Sequence, residues 1–206
     1  MLFPIRVRQQ PSLRGGNGMS KGNSGLFCGT VGANEAVLCQ GQGIIASRVK
    51  GLDLREHPRE NSLSAKRRKL IKEKIDNRTA TKSEYYQYMS HKRFSERRKT
   101  GVNEFWKQER RRIREGKATT REWSDAQKAT ILSGLRPKYN GKTIQGHHTY
   151  SASRYPHLAN RGEVVFPVTF DEHLYGWHGG NFKKSLPGKP VSYHKKYNFR
   201  RKKYDR

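Results

Sequence analysis

The hydrophobic period of this chain changes at Pro137, and no other feature constrains its fold as much. Upstream, from Ser62, apolar residues recur at the three- and four-residue spacing of helices; downstream they come in short β-branched runs between turn residues. Helices gathered ahead of small strands imply an α+β fold. The segment "LSAKRRKLIKEKI" places Leu63, Leu70, Ile71 and Ile75 near one helical face and ends at Asp76-Asn77. A second helix is expected from a Thr or Ser cap in "TATKSEYYQYMSHKRF". A third is expected through "NEFWKQERRRIRE" to Gly116, and a short fourth from the Ser124 cap to Gly134.

Beyond Pro137, Asn140-Gly141 is a strong hairpin signal, so "RPKY" and "KTIQGHH" are candidate paired strands. "EVVFPVT" reads as a further strand with Pro167 near its end. "FDEHLYGWH" reads as a helix capped by Thr169 and stopped at Gly179-Gly180. Before the helices the chain is less legible. Residues 1–24 are poor in apolar content and are expected to form a disordered lead. Residues 25–60 hold short apolar runs broken by Gly, compatible with a loose hairpin, a docking segment or the end of a larger architecture. The expected organisation is therefore the lead, this irregular segment, a basic helical region over 61–135, a compact core over 136–190, and a basic aromatic tail over 191–206.

Charge narrows the partners. Forty-four Lys and Arg against 17 Asp and Glu give a net charge of +27, and only 32% of residues are apolar against the roughly 45–50% usual in globular chains. Such a surface implies an anionic partner, and phosphate backbone is the commonest. Ten basic residues against three acidic lie between Lys92 and Arg114. Arg110 and Arg111 within that run, Arg154 further on, and Lys183 and Lys184 after the Gly-Gly are candidate nucleic-acid contacts. In the tail, Tyr193, Tyr197, Phe199 and Tyr204 are interleaved with basic residues, a mixture suited to backbone tracking and base stacking. No run of apolar residues is long enough to span a membrane, and no export signal is read at the start. Cys28 and Cys39 form no CxxC pair and read as ordinary thiols.

Five of the eight histidines lie within residues 141–180. Adjacent strand residues point to opposite sides, so His147 and His148 suit a division of labour. One imidazole can join His173 and His178 on a metal ion while its neighbour faces a reacting phosphate. Three imidazoles would leave a coordination position open to substrate, as catalytic sites do. His173 and His178 are five apart, about 140° on an ideal α-helix, so the helix is expected to unwind after Trp177 to bring them together. His157, between Pro156 and Leu158, reads as a packed, hydrogen-bonded ring rather than a ligand.

The triplet Gly146-His147-His148, "YPHLAN" and "EHLYGWHGG", in this order, resemble the GHH-signature members of the HNH/endonuclease VII superfamily of ββα-metal nucleases, which occur as toxin modules of bacterial polymorphic toxins. The likeness is specific from Asn140 to Asn181 and extends back to about Phe94. It implies a C-terminal ββα-metal core, with His147, His173 and His178 as metal ligands and His148 as general base. Asn160 falls where the superfamily's central Asn would help orient that base. No carboxylate occupies a ligand position, unlike some HNH relatives; Glu172 is placed to support His173 from behind.

The resemblance implies a metal-dependent endonuclease acting on DNA with one divalent ion, Zn²⁺, Mg²⁺, Mn²⁺ or Ni²⁺. It also implies an acidic immunity protein as partner. No segment reads as a delivery domain, so a separated toxin module or effector reaching the cytoplasm of a target cell is expected. The competing reading is a non-catalytic nucleic-acid-binding protein whose histidines hold a structural metal, with His157 as the fourth ligand that a closed shell would need.

Overall fold

A computed structural model of the chain describes residues 33–60 and 62–191, with side chains from residue 37. Four α-helices come first: α1 (Ala33–Arg48), α2 (Ala65–Asp76), α3 (Lys82–Arg114) and α4 (Asp125–Leu132). A minimal hairpin follows, β1 (Lys138–Tyr139) with β2 (Lys142–Thr143). Then comes an antiparallel pair, β3 (Gln145–His148) with β4 (Val165–Val168), and a helical turn over Glu172–Trp177. The class is α+β. No helix among the described residues is long and apolar enough to cross a membrane. The N-terminal lead, Cys28 and the aromatic residues of the tail lie outside the described residues.

β4 is buried along its whole length, which explains why "VVFPV" lacks the polar alternation of a half-exposed strand. On one side Phe166 and Val168 pack with Leu38, Ile45 and Val49 from the α1 region and with Trp177. On the other, Val165 packs with Phe105 and Trp106 of α3 and with Trp123, Ile131 and Ile144. The small sheet is thus a middle layer between α1 and α3. Ile45 is fully buried, and covering such a side chain contributes roughly 1.5–3 kcal/mol.

The α1 helix is the main element the sequence pattern hid. Its glycines looked like breaks, but a methyl group at Gly41 would sit 2.8 Å from the Phe166 ring, so the missing side chain is what lets α1 lie against β4. Arg48, at its last turn, is half-buried. It donates to the carbonyls of Gly162 and Val165 and to the Gln108 side chain, tying α1 to β4 and α3.

The two helices expected over 79–115 are one continuous helix of 33 residues, α3. Thr81 and Glu84 form a reciprocal capping box at its start, and Gly116, at φ 61°, follows its C-cap. The helix runs unbroken through Gly101, between the two segments expected as separate helices. Glycine there serves an approach of another kind: a Cβ would lie 2.3 Å from the Ala159 carbonyl oxygen. Downstream, the wholly buried Glu109 carboxylate accepts hydrogen bonds from the Thr120 N–H and hydroxyl, Trp123 Nε1 and Arg112, and so fixes the connection to α4.

The strand pairing also differs from expectation. Asn140-Gly141 does make a hairpin turn, with φ 45° and 73°, but it joins only two residues on each side. The histidine-bearing strand pairs with β4 instead, His147 opposite Phe166 and His148 opposite Val165. Burial of β4 on both faces rewards that pairing, whereas "RPKY" has little apolar surface to offer.

Candidate metal and catalytic site

The site is built around an unusual helical turn. Thr169 and Glu172 cap its start reciprocally, the Thr169 N–H donating to the carboxylate and the Glu172 N–H to the Thr169 hydroxyl. Over Glu172–Trp177 the backbone then winds as a π-helix, and the His178 N–H donates to the His173 carbonyl at 3.1 Å. This i→i+5 bond stacks residues five apart. The helix stops after Trp177 as expected, with His178 as its C-cap, and the π winding before it was not expected; the two rings come within 4.9 Å of each other, centroid to centroid.

His147 of β3 completes a triangle, with ring centroids 4.8 Å from His173 and 4.9 Å from His178. One ligand atom from each of the three lies within 4.8 Å of those of the other two. His173 Nδ1 is hydrogen-bonded to Gln145 Oε1 at 2.7 Å, and His178 Nδ1 to the Lys184 carbonyl at 2.5 Å. Both acceptors require Nδ1–H, so Nε2 is the nitrogen of each ring left available to a metal ion. Burial, reinforced by the neighbouring imidazoles, pushes the His147 pKa well below the ordinary 6.5 and that of His173 down to about 4. Three imidazoles whose ring nitrogens converge are a fit set for a transition-metal ion.

His148 stands beside this cluster on the α3 side. Its Nε2 lies 2.9 Å from the Ala159 carbonyl oxygen, which can only accept, so Nε2 carries the proton and Nδ1 is the basic nitrogen. Gly101 sits against both Ala159 and this ring, so the bare helix surface makes the contact possible. Burial and then Arg98 push the His148 pKa down to about 4, against the upward pull of the carbonyl, and the ring stays neutral. Both histidines of the pair line one cleft of about 310 Å³ with His173, His178, Arg98 and Lys183.

The other candidate residues are distributed unevenly. Asn160 is exposed and outside the cleft lining; the carbonyl of the preceding Ala159 holds His148 where an Asn side chain was expected to help. Glu172 is buried but faces Arg121, with contacts of 3.0 and 3.2 Å, and Gln145 is the group behind His173. His157 is remote from the triangle: Nε2 contacts the Asp53 carbonyl at 2.8 Å and its ring lies 4.0 Å from that of His57. Arg110 donates to the Ile131 carbonyl at the end of α4, and Arg154 pairs with Glu56 at 2.9 Å, so both serve contacts within the fold. Arg111 is exposed away from the cleft; Lys184 contributes its carbonyl, and Lys183 alone of the five candidate contacts lines the cleft.

Arg98, Gln145 and the Ala159 carbonyl were not singled out in the sequence. Arg98 shares a helical face with Phe94 and Gly101, spaced four and three residues away, a signal that the assumed helix break obscured. Gln145 lies two residues before His147, on the same face of β3.

Fold and site together define an α+β protein in which a small sheet, a long basic helix and a π-helical turn converge four imidazoles on one cleft. Residues 89–169 match the family model described as GHH signature containing HNH/Endo VII superfamily nuclease toxin, so the likeness carried by Gly146-His147-His148 is shown over this stretch, and the family's name is that of a nuclease toxin. The matched stretch runs from within α3 to Thr169 and holds His147 and His148, while His173 and His178 follow it. No curated protein matches the chain.

Proposed function

We propose that the protein is a metal-dependent endonuclease that hydrolyses DNA phosphodiester bonds, with His147, His173 and His178 holding one divalent ion and His148 as general base. The observation that carries this reading is the divided pair on β3: His147 joins a three-imidazole triangle while His148, with Nε2 tied to Ala159, keeps a free Nδ1. The order of β3, loop, β4 and helical turn is read as a ββα-metal core. A divalent ion bound there would neutralise charge on the scissile phosphate and stabilise the leaving oxygen. His148 Nδ1 takes the proton from the attacking water, and the Ala159 carbonyl keeps the ring aligned for that transfer. Arg98 and Lys183 bind phosphate oxygens at the cleft. The structural-metal alternative needs a fourth protein ligand, and His157, the residue proposed for that role, is engaged with Asp53.

As a nuclease toxin the protein would act in the cytoplasm of a target cell and be restrained by an acidic immunity protein covering the basic face. Their association rate is expected to fall with salt. The direct test is nicking of supercoiled plasmid by wild type and His148→Ala, each stripped with EDTA and resupplied separately with Zn²⁺, Ni²⁺, Mn²⁺ or Mg²⁺. Imidazole donors favour Zn²⁺ or Ni²⁺. The substitution is expected to lower cleavage by about 10²–10⁴-fold while metal binding survives. Failure of the wild type to cut DNA or RNA with any of the four ions would overturn the reading.

A further inference from the structure

Two exposed phenylalanines have no place in the core, and one of them, Phe182, lines the cleft. Phe182 is 52% exposed and Phe170 41%, and their ring centroids are 6.4 Å apart. Phe182 also borders the histidine triangle, 5.3 Å from His173 and 5.1 Å from His178. Phe170 leads away from it into a separate groove of about 500 Å³, lined also by Arg136, Lys142 and Gln145. Lys142 Nζ lies 5.8 Å from the Phe170 ring centroid. Gln145, through its bond to His173, links this groove to the triangle.

We propose that Phe182 and Phe170 form a stacking ledge for unpaired bases next to the scissile phosphate, with Lys183, Lys142 and Arg136 neutralising the flanking backbone, and that the preferred substrate is single-stranded or locally melted nucleic acid. Exposed aromatic rings alternating with cations along a groove are the arrangement that holds single strands without sequence preference. A phenyl ring offers no hydrogen bond to a base edge, so the ledge reads the presence of a free base face and not its identity. In a closed duplex both faces of each base are stacked on neighbours, and the rings have nothing to receive. The proposal rests on the nuclease reading for its position beside the scissile bond, but its binding test does not.

The test is a double cycle on the full chain in EDTA, where cleavage is silent. Affinity is measured for a single-stranded oligonucleotide, for the same strand with one abasic site moved along it, and for the matching duplex, using wild type, Phe182→Ala and Phe182→Trp. One abasic position is expected to weaken wild-type binding by roughly 5- to 150-fold and to have no effect on Phe182→Ala, with duplex affinity unchanged by the substitution and Phe182→Trp behaving like wild type. Equal losses for strand and duplex, or an abasic scan that is flat for wild type, would overturn the ledge. Metal-supplied cleavage separates the two readings: a flat scan with cutting intact removes the ledge alone, and an intact cycle without cutting removes the nuclease reading alone.

Discussion

Gln145 and the Lys184 carbonyl decide which nitrogen of His173 and His178 faces the cleft, because each occupies Nδ1. Gln145→Ala is therefore expected to free the His173 tautomer and weaken metal binding by roughly 10–100-fold, read by calorimetric titration; an unchanged affinity would mean that Gln145 does not set the orientation of His173. Burial of His147, His148 and His173 makes the metal-free fold sensitive to acid. The pKa values of His148 and His173 are lowered to about 4 and that of His147 well below 6.5, whereas in the unfolded chain all three return to the ordinary imidazole value. The unfolded chain thus binds protons that the folded one refuses. Stability is complete above about pH 6.5 and is lost progressively as the pH falls towards about 4. Urea midpoints of metal-stripped protein should drop across that window, and midpoints independent of pH would mean the rings protonate without opposing the fold.

At the scale of elements, two glycines in helices make opposite predictions. Gly101→Ala puts a methyl group 2.3 Å from the Ala159 carbonyl oxygen, so the loop holding His148 must move. A loss of about 1–3 kcal/mol is expected, together with a fall in cleavage. Gly43→Ala in α1 meets nothing within 4 Å and should stabilise by roughly 0.5–1 kcal/mol. Thermal melting of the two variants checks both signs. These positions also explain how much of the fold was legible. Ser124, Thr169, Gly116 and Asn140-Gly141 could be read because caps and turns are local chemistry. The unity of α3 and the existence of α1 could not, since Gly101 and Gly41 are explained only by what lies across from them, Ala159 and Phe166. The histidine triangle was legible as a set of residue types, but its geometry depended on a π-helical turn that an i, i+5 spacing alone does not announce.

For the whole molecule, a net charge of +27 makes phosphate contact a bulk property, so nucleic-acid affinity should fall linearly on a log–log plot against salt, whichever strand form is bound. Stability depends on a different long-range feature. The matched family stretch begins at residue 89, within α3, yet one face of β4 is covered by Leu38, Ile45 and Val49 from the α1 region. Without that layer Phe166, Val168 and Trp177, each at most 1% exposed in the full structure, would face water beside the histidine triangle. A fragment starting at Ser62 is therefore expected to lack a cooperative melting transition even though it keeps all four histidines of the site. The milder Ile45→Ala should lower stability by about 2–5 kcal/mol, because its cavity opens in the layer between α1 and β4. Denaturant titration of both proteins tests this, and a fragment as stable as the full chain would show that α1 merely rests on a core complete without it.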